Sequence, residues 1–379
     1  MDFSSSPTLP AVGAVLPNPQ PITSVSYHED GKRLYVASEG NATLQVVDCM
    51  TGKRCDTENA QYRHPLRTER EQIHVVEATH HEDAVLIAGK GSQTQLVGQR
   101  NAISYWSLYD NKIVRKFRGH SDKVNSISMC PADDTFLSSS SDGTVRLWNL
   151  QQAGCLAELK LPERSGENLV NKSVPPTAVF DSTGLVFSVT AAMQNSAGHF
   201  VHLYDARNYS AGAFCELKVS QPDLANAIVQ TATTIGASSL DSSRADEISK
   251  HATIESLEFN LSGSRILARA TYGMTMVLDG FEGTIQRVHI DPSLGLSSAD
   301  SATDAATTRA VACFVPSDDT TVLSANINQG TLTAWDVPTG NLVKGLDNPK
   351  HPGPITCLAA NPKHAQFTSC CSQTALWIW

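Results

Sequence analysis

The residue clusters of this 379-residue chain that could do chemistry are few. Gly89-Lys90-Gly91-Ser92 has the ingredients of a phosphate loop, in which backbone N–H groups and a lysine cradle an anion. It lacks the G-x-x-x-x-G-K-[ST] spacing and falls in a β-hairpin pattern rather than ahead of a helix, so it is set aside as a nucleotide site. His80-His81-Glu82-Asp83 offers metal-ligand types. Four consecutive residues in a strand turn alternate in direction and cannot converge on one ion, so a solvated turn is expected. The nine cysteines (Cys49, Cys55, Cys130, Cys155, Cys215, Cys313, Cys357, Cys370 and Cys371) are scattered, without a C-x-x-C pair, which leaves no zinc or redox motif. No G-x-S-x-G nucleophile elbow occurs. The carboxylate pairs Asp133-Asp134 and Asp318-Asp319 sit where Asp serves turn geometry. The expectation is a non-enzyme with no catalytic residues, no metal and no cofactor.

Composition agrees with a folded binding protein. Hydrophobic residues make up 41% and charged residues 18%, with a net charge of −9 and a pI near 5.7. That balance argues against direct nucleic-acid or membrane binding through charge alone. No apolar run approaches the roughly 18 residues of a membrane span. The start, Met1-Asp2-Phe3-Ser4-Ser5-Ser6-Pro7, has neither a basic nor an apolar signal region, so no secretory signal is expected. The cysteines are then reduced thiols, mostly small core hydrophobes, in a cytosolic or nuclear protein.

The elements that must position any binding residue follow from an internal repeat. Residues 119–149 (GHSDKVNSISMCPADDTFLSSSSDGTVRLWN) alternate apolar and polar residues over short stretches, with tight turns at Pro131-Ala132-Asp133-Asp134 and Asp142-Gly143. This pattern predicts antiparallel strands joined by hairpins. The same grammar starts near residues 22, 73, 124, 177, 254, 310 and 355, giving seven units. The Trp-like position late in each third strand falls at Val47, Trp106, Trp148, Tyr204, Leu278, Trp335 and Trp377. Two of the intervals between them are 42 residues, inside the 40–45-residue period of WD repeats.

Gly119-His120, Asp142 and Trp148-Asn149 are WD-repeat landmarks at the family's spacing, and the chain resembles the WD-repeat family on these residues. The resemblance implies an all-β, single seven-bladed propeller over residues 11–379, preceded by a tail of residues 1–10. It also implies a blade-locking hydrogen-bond chain of His120, Ser138, Asp142 and Trp148. Other blades depart from it: Cys371 stands in place of the Asp in the seventh, and Gln329 in the sixth. Apolar packing is expected to carry those blades. With no fourth strand after Trp379, residues 11–16 (AVGAVL) are expected to pair beside residues 376–378 and close the ring.

Topology turns the insertions into a pointer. In such a blade, with strands a to d from the centre outward, the a–b and c–d turns share one face. The b–c and d–a connections share the other. The first set is tight throughout. The extra residues (57–71, 89–101, 162–174, 191–198, 219–251 and 291–309) all fall on the second face. Binding residues favour loops held on a rigid scaffold, so that face is the expected partner surface, with Lys123, Arg164 and Lys172 as candidates. Residues 219–251 and 291–309 are rich in Ala, Ser, Thr and Asp without aromatics and are expected as flexible insertions, with short helical turns allowed within 221–230.

Residues 47–53, 103–120 (ISYWSLYDNKIVRKFRGH), 131–136 (PADDTF), 278–283 (LDGFEG) and 351–367, with Cys371-Ser372, resemble one WD-repeat adaptor family more closely. That family is shared by Set1-type histone H3 lysine methyltransferase (COMPASS) complexes and by nuclear protein phosphatase 1 complexes of transcription termination. The resemblance implies a non-catalytic, nuclear adaptor, monomeric within a hetero-complex. It would hold a methyltransferase or phosphatase-regulatory subunit and link it to RNA polymerase II carrying a phosphorylated tail. The alternative is a substrate- or histone-tail-recognition propeller of another complex, such as a ubiquitin ligase.

Overall fold

The structure is a computed structural model, and it describes residues 11–18, 20–40, 42–55, 62, 66–68, 72–90, 97–159, 171, 173–235, 241–290, 310–315, 318–326, 330–346 and 351–378. The tail 1–10, the insertion 291–309, Arg164, Lys172 and Gln329 lie outside the described residues.

Seven four-stranded antiparallel sheets form a β-propeller. The inner strands a are Ile22–Tyr27, Gln72–Ala78, Val124–Met129, Ala178–Phe180, Ile254–Phe259, Ala312–Val315 and Cys357–Ala360. The seventh blade takes its outer strand from the start of the chain. Ala11–Pro17 pairs antiparallel with Gln373–Ile378, from Ala11 opposite Ile378 to Pro17 opposite Gln373. This is the closure the sequence predicts, and it gives the last blade a fourth strand.

The blades pack through the alternate faces of strands b and c. Phe136 lies opposite Trp148 and Phe367 opposite Trp377, and both pairs stack, as do Phe187 and Tyr204 with ring centroids 5.0 Å apart. Trp106, Trp148 and Trp377 are among the largest fully buried side chains. Polar side chains on the inner strands tie blades 1 to 2, 2 to 3, 3 to 4 and 5 to 6. Ser26 accepts the Ala78 N–H, Glu77 the Met129 N–H, Ser128 the Phe180 N–H and Glu258 the Phe314 N–H. These bonds satisfy backbone donors that the a strands, with no neighbour on their inner side, would otherwise leave unpaired.

The segment 219–251 differs from the flexible insertion expected. It holds helices α2 (Gln221–Ile235) and α3 (Ser242–His251), which follow a single helical turn, α1 (Val97–Arg100). Leu224, Ile228 and Ala232, spaced four apart, bury one face of α2; Ala245 and Ile248 do the same on α3. They share a core with Val219, Val288 and Ile290 of the flanking outer strands. Asp241 caps α3 by accepting the Arg244 N–H at 2.9 Å. A composition poor in large apolar groups hid a helical period whose small residues allow close packing.

Candidate partner-binding surfaces

The locking residues of blade 3 come together. Trp148 Nε1–H donates to Ser138 Oγ at 2.8 Å, and Ser138 Oγ is 2.7 Å from His120 Nε2. His120 Nδ1 is 2.9 Å from Asp142 Oδ2. Because Ser138 already accepts from Trp148, its own proton goes to Nε2, which leaves Nδ1–H to donate to the carboxylate. Burial pushes the His120 imidazole below its usual range despite Asp142, consistent with that neutral tautomer. Burial opposes the Asp142 charge, yet hydrogen bonds from Thr144, the Ser121 N–H and His120 hold its carboxyl at about 2. Gly119 packs closely beside this chain: a Cβ there would lie 2.4 Å from the Arg146 guanidinium and 3.2 Å from the Trp148 ring.

Blade 7 repeats the arrangement with a thiol. Trp377 donates to Ser369 at 2.7 Å, Ser369 lies 2.6 Å from His351 Nε2, and His351 Nδ1 is 3.1 Å from Cys371 Sγ. The substitution seen in sequence thus leaves a second lock in place, with a softer acceptor at its end.

The clusters set aside as chemistry are tied up in packing. His80 Nδ1 is 2.7 Å from Glu29, and its Nε2 lies 3.0 Å from the carbonyls of Cys130 and Asp133. It therefore joins three blades rather than standing in solvent. Asp83 accepts from Arg33 at 2.6 Å and from Tyr62 at 2.7 Å. Gly89 is the penultimate residue of strand b of blade 2, where a Cβ would fall 1.9 Å from the Gln72 carbonyl oxygen; close backbone approach explains this glycine. All nine cysteines are free, and no group of three or more metal-ligating residues gathers among the described residues.

Two concave surfaces among the described residues carry basic side chains away from the α2–α3 segment. The first is the central channel, a cavity of about 940 Å³ lined by inner strands and the residues just before them, including Lys123, His74, Glu77 and Glu255. Lys123 is exposed there, on the loop-bearing face. Burial pushes the Glu77 carboxyl up to about 7, against the Met129 N–H and Ser26. The second is a groove of about 610 Å³ on the outside of blade 2, lined by Arg67, Lys112, Arg115, Lys116 and Arg118. Arg115 donates to the Leu150 carbonyl. The run KIVRKFR at residues 112–118 is the signal that could have found it: four cations in seven residues with no acid between them.

Comparison with known proteins accords with this geometry. The WD domain, G-beta repeat family profile matches residues 111–149. The chain is 27% identical to WD repeat-containing protein 82 of Drosophila melanogaster, over 95% of this chain and 91% of that protein. It is 26% identical to the Set1 complex component swd2 of Schizosaccharomyces pombe, over 69% of this chain and 58% of that protein. The solved β-propeller domain of Myceliophteria thermophila Cps50 (Swd1) superposes with a TM-score of 0.64 at 15% identity, covering 98% of this chain and 99% of that one. Residues 111–149 thus match a WD40 repeat within a seven-bladed propeller, and over most of its length the chain is similar to WD repeat-containing protein 82 and to swd2.

Proposed function

We propose that the chain is a non-catalytic scaffold subunit of a nuclear Set1-type histone methyltransferase assembly. The observation that carries this reading is its near full-length likeness to WD repeat-containing protein 82, together with its likeness to a named Set1 complex component. A closed ring whose polar clusters tie blade to blade is well suited to holding partners in fixed relation. A protein phosphatase 1 complex of transcription termination is the second assembly to which the same adaptor type belongs. The outer groove favours one task common to both: docking the phosphorylated tail of RNA polymerase II. Arg67, Arg115 and Arg118 offer guanidinium forks suited to phosphate oxygens.

Native affinity purification with mass spectrometry tests both levels. Set1-type or phosphatase-regulatory subunits are expected with the wild type and with the variant Lys112→Glu/Arg118→Glu, while the variant loses the polymerase. Recovery of a cullin adaptor in their place would overturn the scaffold reading. Retention of polymerase by the variant would overturn the groove assignment alone.

A further inference from the structure

The longest insertions and the exposed apolar turn residues lie on opposite faces, although the c–d connection of blade 4, residues 206–214, is longer than the tight turn expected. Among the described residues, six large exposed hydrophobics occupy a–b or c–d turns: Met50, Tyr109, Leu185, Phe214, Leu261 and Phe281. The others are on strands, and none is on the loop-bearing face. Four of the six fall at the junction of blades 4 and 5. Phe281 is 74% exposed, Leu261 64%, Phe214 61% and Leu185 44%. Backbone ties hold this quartet's turns together. Ser182 Oγ donates to the Leu261 carbonyl at 2.6 Å, and the Phe281 carbonyl lies 4.0 Å from the thiol of Cys215, the neighbour of Phe214. Leu185 O accepts the Ala206 N–H at 2.9 Å, at the base of the loop that carries Phe214. Single exposed hydrophobics are ordinary. Aromatic and leucine side chains gathered on turns fixed by hydrogen bonds have the character of interface anchors.

The surrounding charge identifies what would cover them. Asp205, Asp279, Glu282 and Asp319 flank the quartet. The cations nearby are exposed Arg207 and half-buried Arg265, the latter donating to Gln286 and to the Asp319 carbonyl. The Asp279 carboxylate accepts the N–H groups of Phe281 and Glu282, which fixes a negative charge beside the Phe281 ring. Further round the face, Glu29, Asp30 and Asp134 lie in the turns of blades 1 and 3, while Asp83 is paired with Arg33. We propose that the tight-turn face at blades 4 and 5 docks a basic segment of a partner protein. That segment sets aromatic or aliphatic side chains among Leu185, Phe214, Leu261 and Phe281, and Lys or Arg against the acidic rim. This surface is separate from the outer groove and does not depend on which assembly the chain serves.

The test is selection of 12-residue peptides from a random phage-displayed library on the full chain, with counter-selection on the variant Phe214→Ser/Phe281→Ser. Both rings are largely exposed, so the variant should keep the wild-type melting temperature. The surviving pool is expected to combine Lys or Arg with aromatic or aliphatic residues. By fluorescence polarisation its binding should weaken at least tenfold in the variant, weaken with added salt, and persist in Lys123→Glu. A pool that is acidic or uncharged, or one that binds the variant equally, overturns the proposal. So does concentration-dependent dimerisation of the wild type that the variant abolishes, since a second copy would then be the occupant.

Discussion

Blades 3 and 6 carry a tryptophan at the same place on strand c, and only blade 3 satisfies it. Trp148 lies opposite Phe136, two residues before Ser138, and its indole reaches that hydroxyl. Trp335 lies opposite Val322, two residues before Ser324, so the register is equivalent. There Ser324 Oγ is 2.8 Å from the Thr333 hydroxyl instead, and among the described residues the buried Trp335 Nε1 has no hydrogen-bond partner. The ring of His289 stacks on Trp335 at 5.4 Å. A serine at the right register is therefore insufficient. Blades 3 and 7 each add a histidine, His120 or His351, that draws the serine proton and turns the hydroxyl oxygen toward the indole. The lock is one cooperative chain, and blade 6 keeps only its packing.

The largest effect that would break this comparison is expected from His120→Ala. It removes a partner from both Ser138 and the ionised Asp142, whose side chain is only 6% exposed, so a loss of about 2–3 kcal/mol is predicted from thermal or denaturant unfolding. A loss below the error of the measurement would mean that the lock is ornamental. The same variant should flatten the acid limb of stability. A histidine whose pKa is depressed by folding contributes stability that is present above its unfolded value near 6.5 and lost as the pH falls through the lowered one.

Glu77 works in the opposite sense. Its carboxyl is raised from 4.5 to about 7, so the fold favours the protonated form, and stability declines as pH rises from about 4.5 through 7. Glu77→Gln should therefore stabilise by of order 1–3 kcal/mol at pH 8 and change little at pH 4.5, read from melting temperature against pH. In blade 7, His351→Ala should cost only about 1 kcal/mol, because the bond it loses ends on a neutral thiol rather than a carboxylate. The smallest effect is expected in blade 6. Trp335→Phe removes an N–H that has no partner among the described residues and should fall within about 0.5 kcal/mol of wild type, whereas Trp148→Phe leaves Ser138 without its donor and should cost more.

The same contrast explains what could be read from the sequence. Gly119, His120, Asp142 and Trp148 were legible because two scarce residue types, His and Trp, stand at a fixed spacing from a Gly and a turn Asp. Closure by residues 11–16 was legible because seven repeats supplied one outer strand too few. The lock of blade 7 was only half legible. Cys371 follows Ser369 by two positions where Asp142 follows Ser138 by four, and only the folded turn brings the thiol within 3.1 Å of His351. Helices α2 and α3 were largely missed because their buried faces mix single large residues, Leu224, Ile228 and Ile248, with alanines in a stretch rich in Ser, Thr and Asp. The exposed Leu185, Phe214, Leu261 and Phe281 are single residues in four separate turns, with no periodicity to betray them. Their common position exists only once blades 4 and 5 stand side by side.

The central claim is that this propeller acts as a structural subunit of a Set1-type assembly. Its most direct test is size-exclusion chromatography with light scattering on the purified chain mixed with a recombinant Set1-type catalytic subunit. A stoichiometric complex that elutes ahead of either component is predicted, retained by Trp335→Phe and reduced in His120→Ala only as far as unfolding removes the platform. Separate elution of the two proteins at micromolar concentration, with the propeller fully folded, would contradict the account.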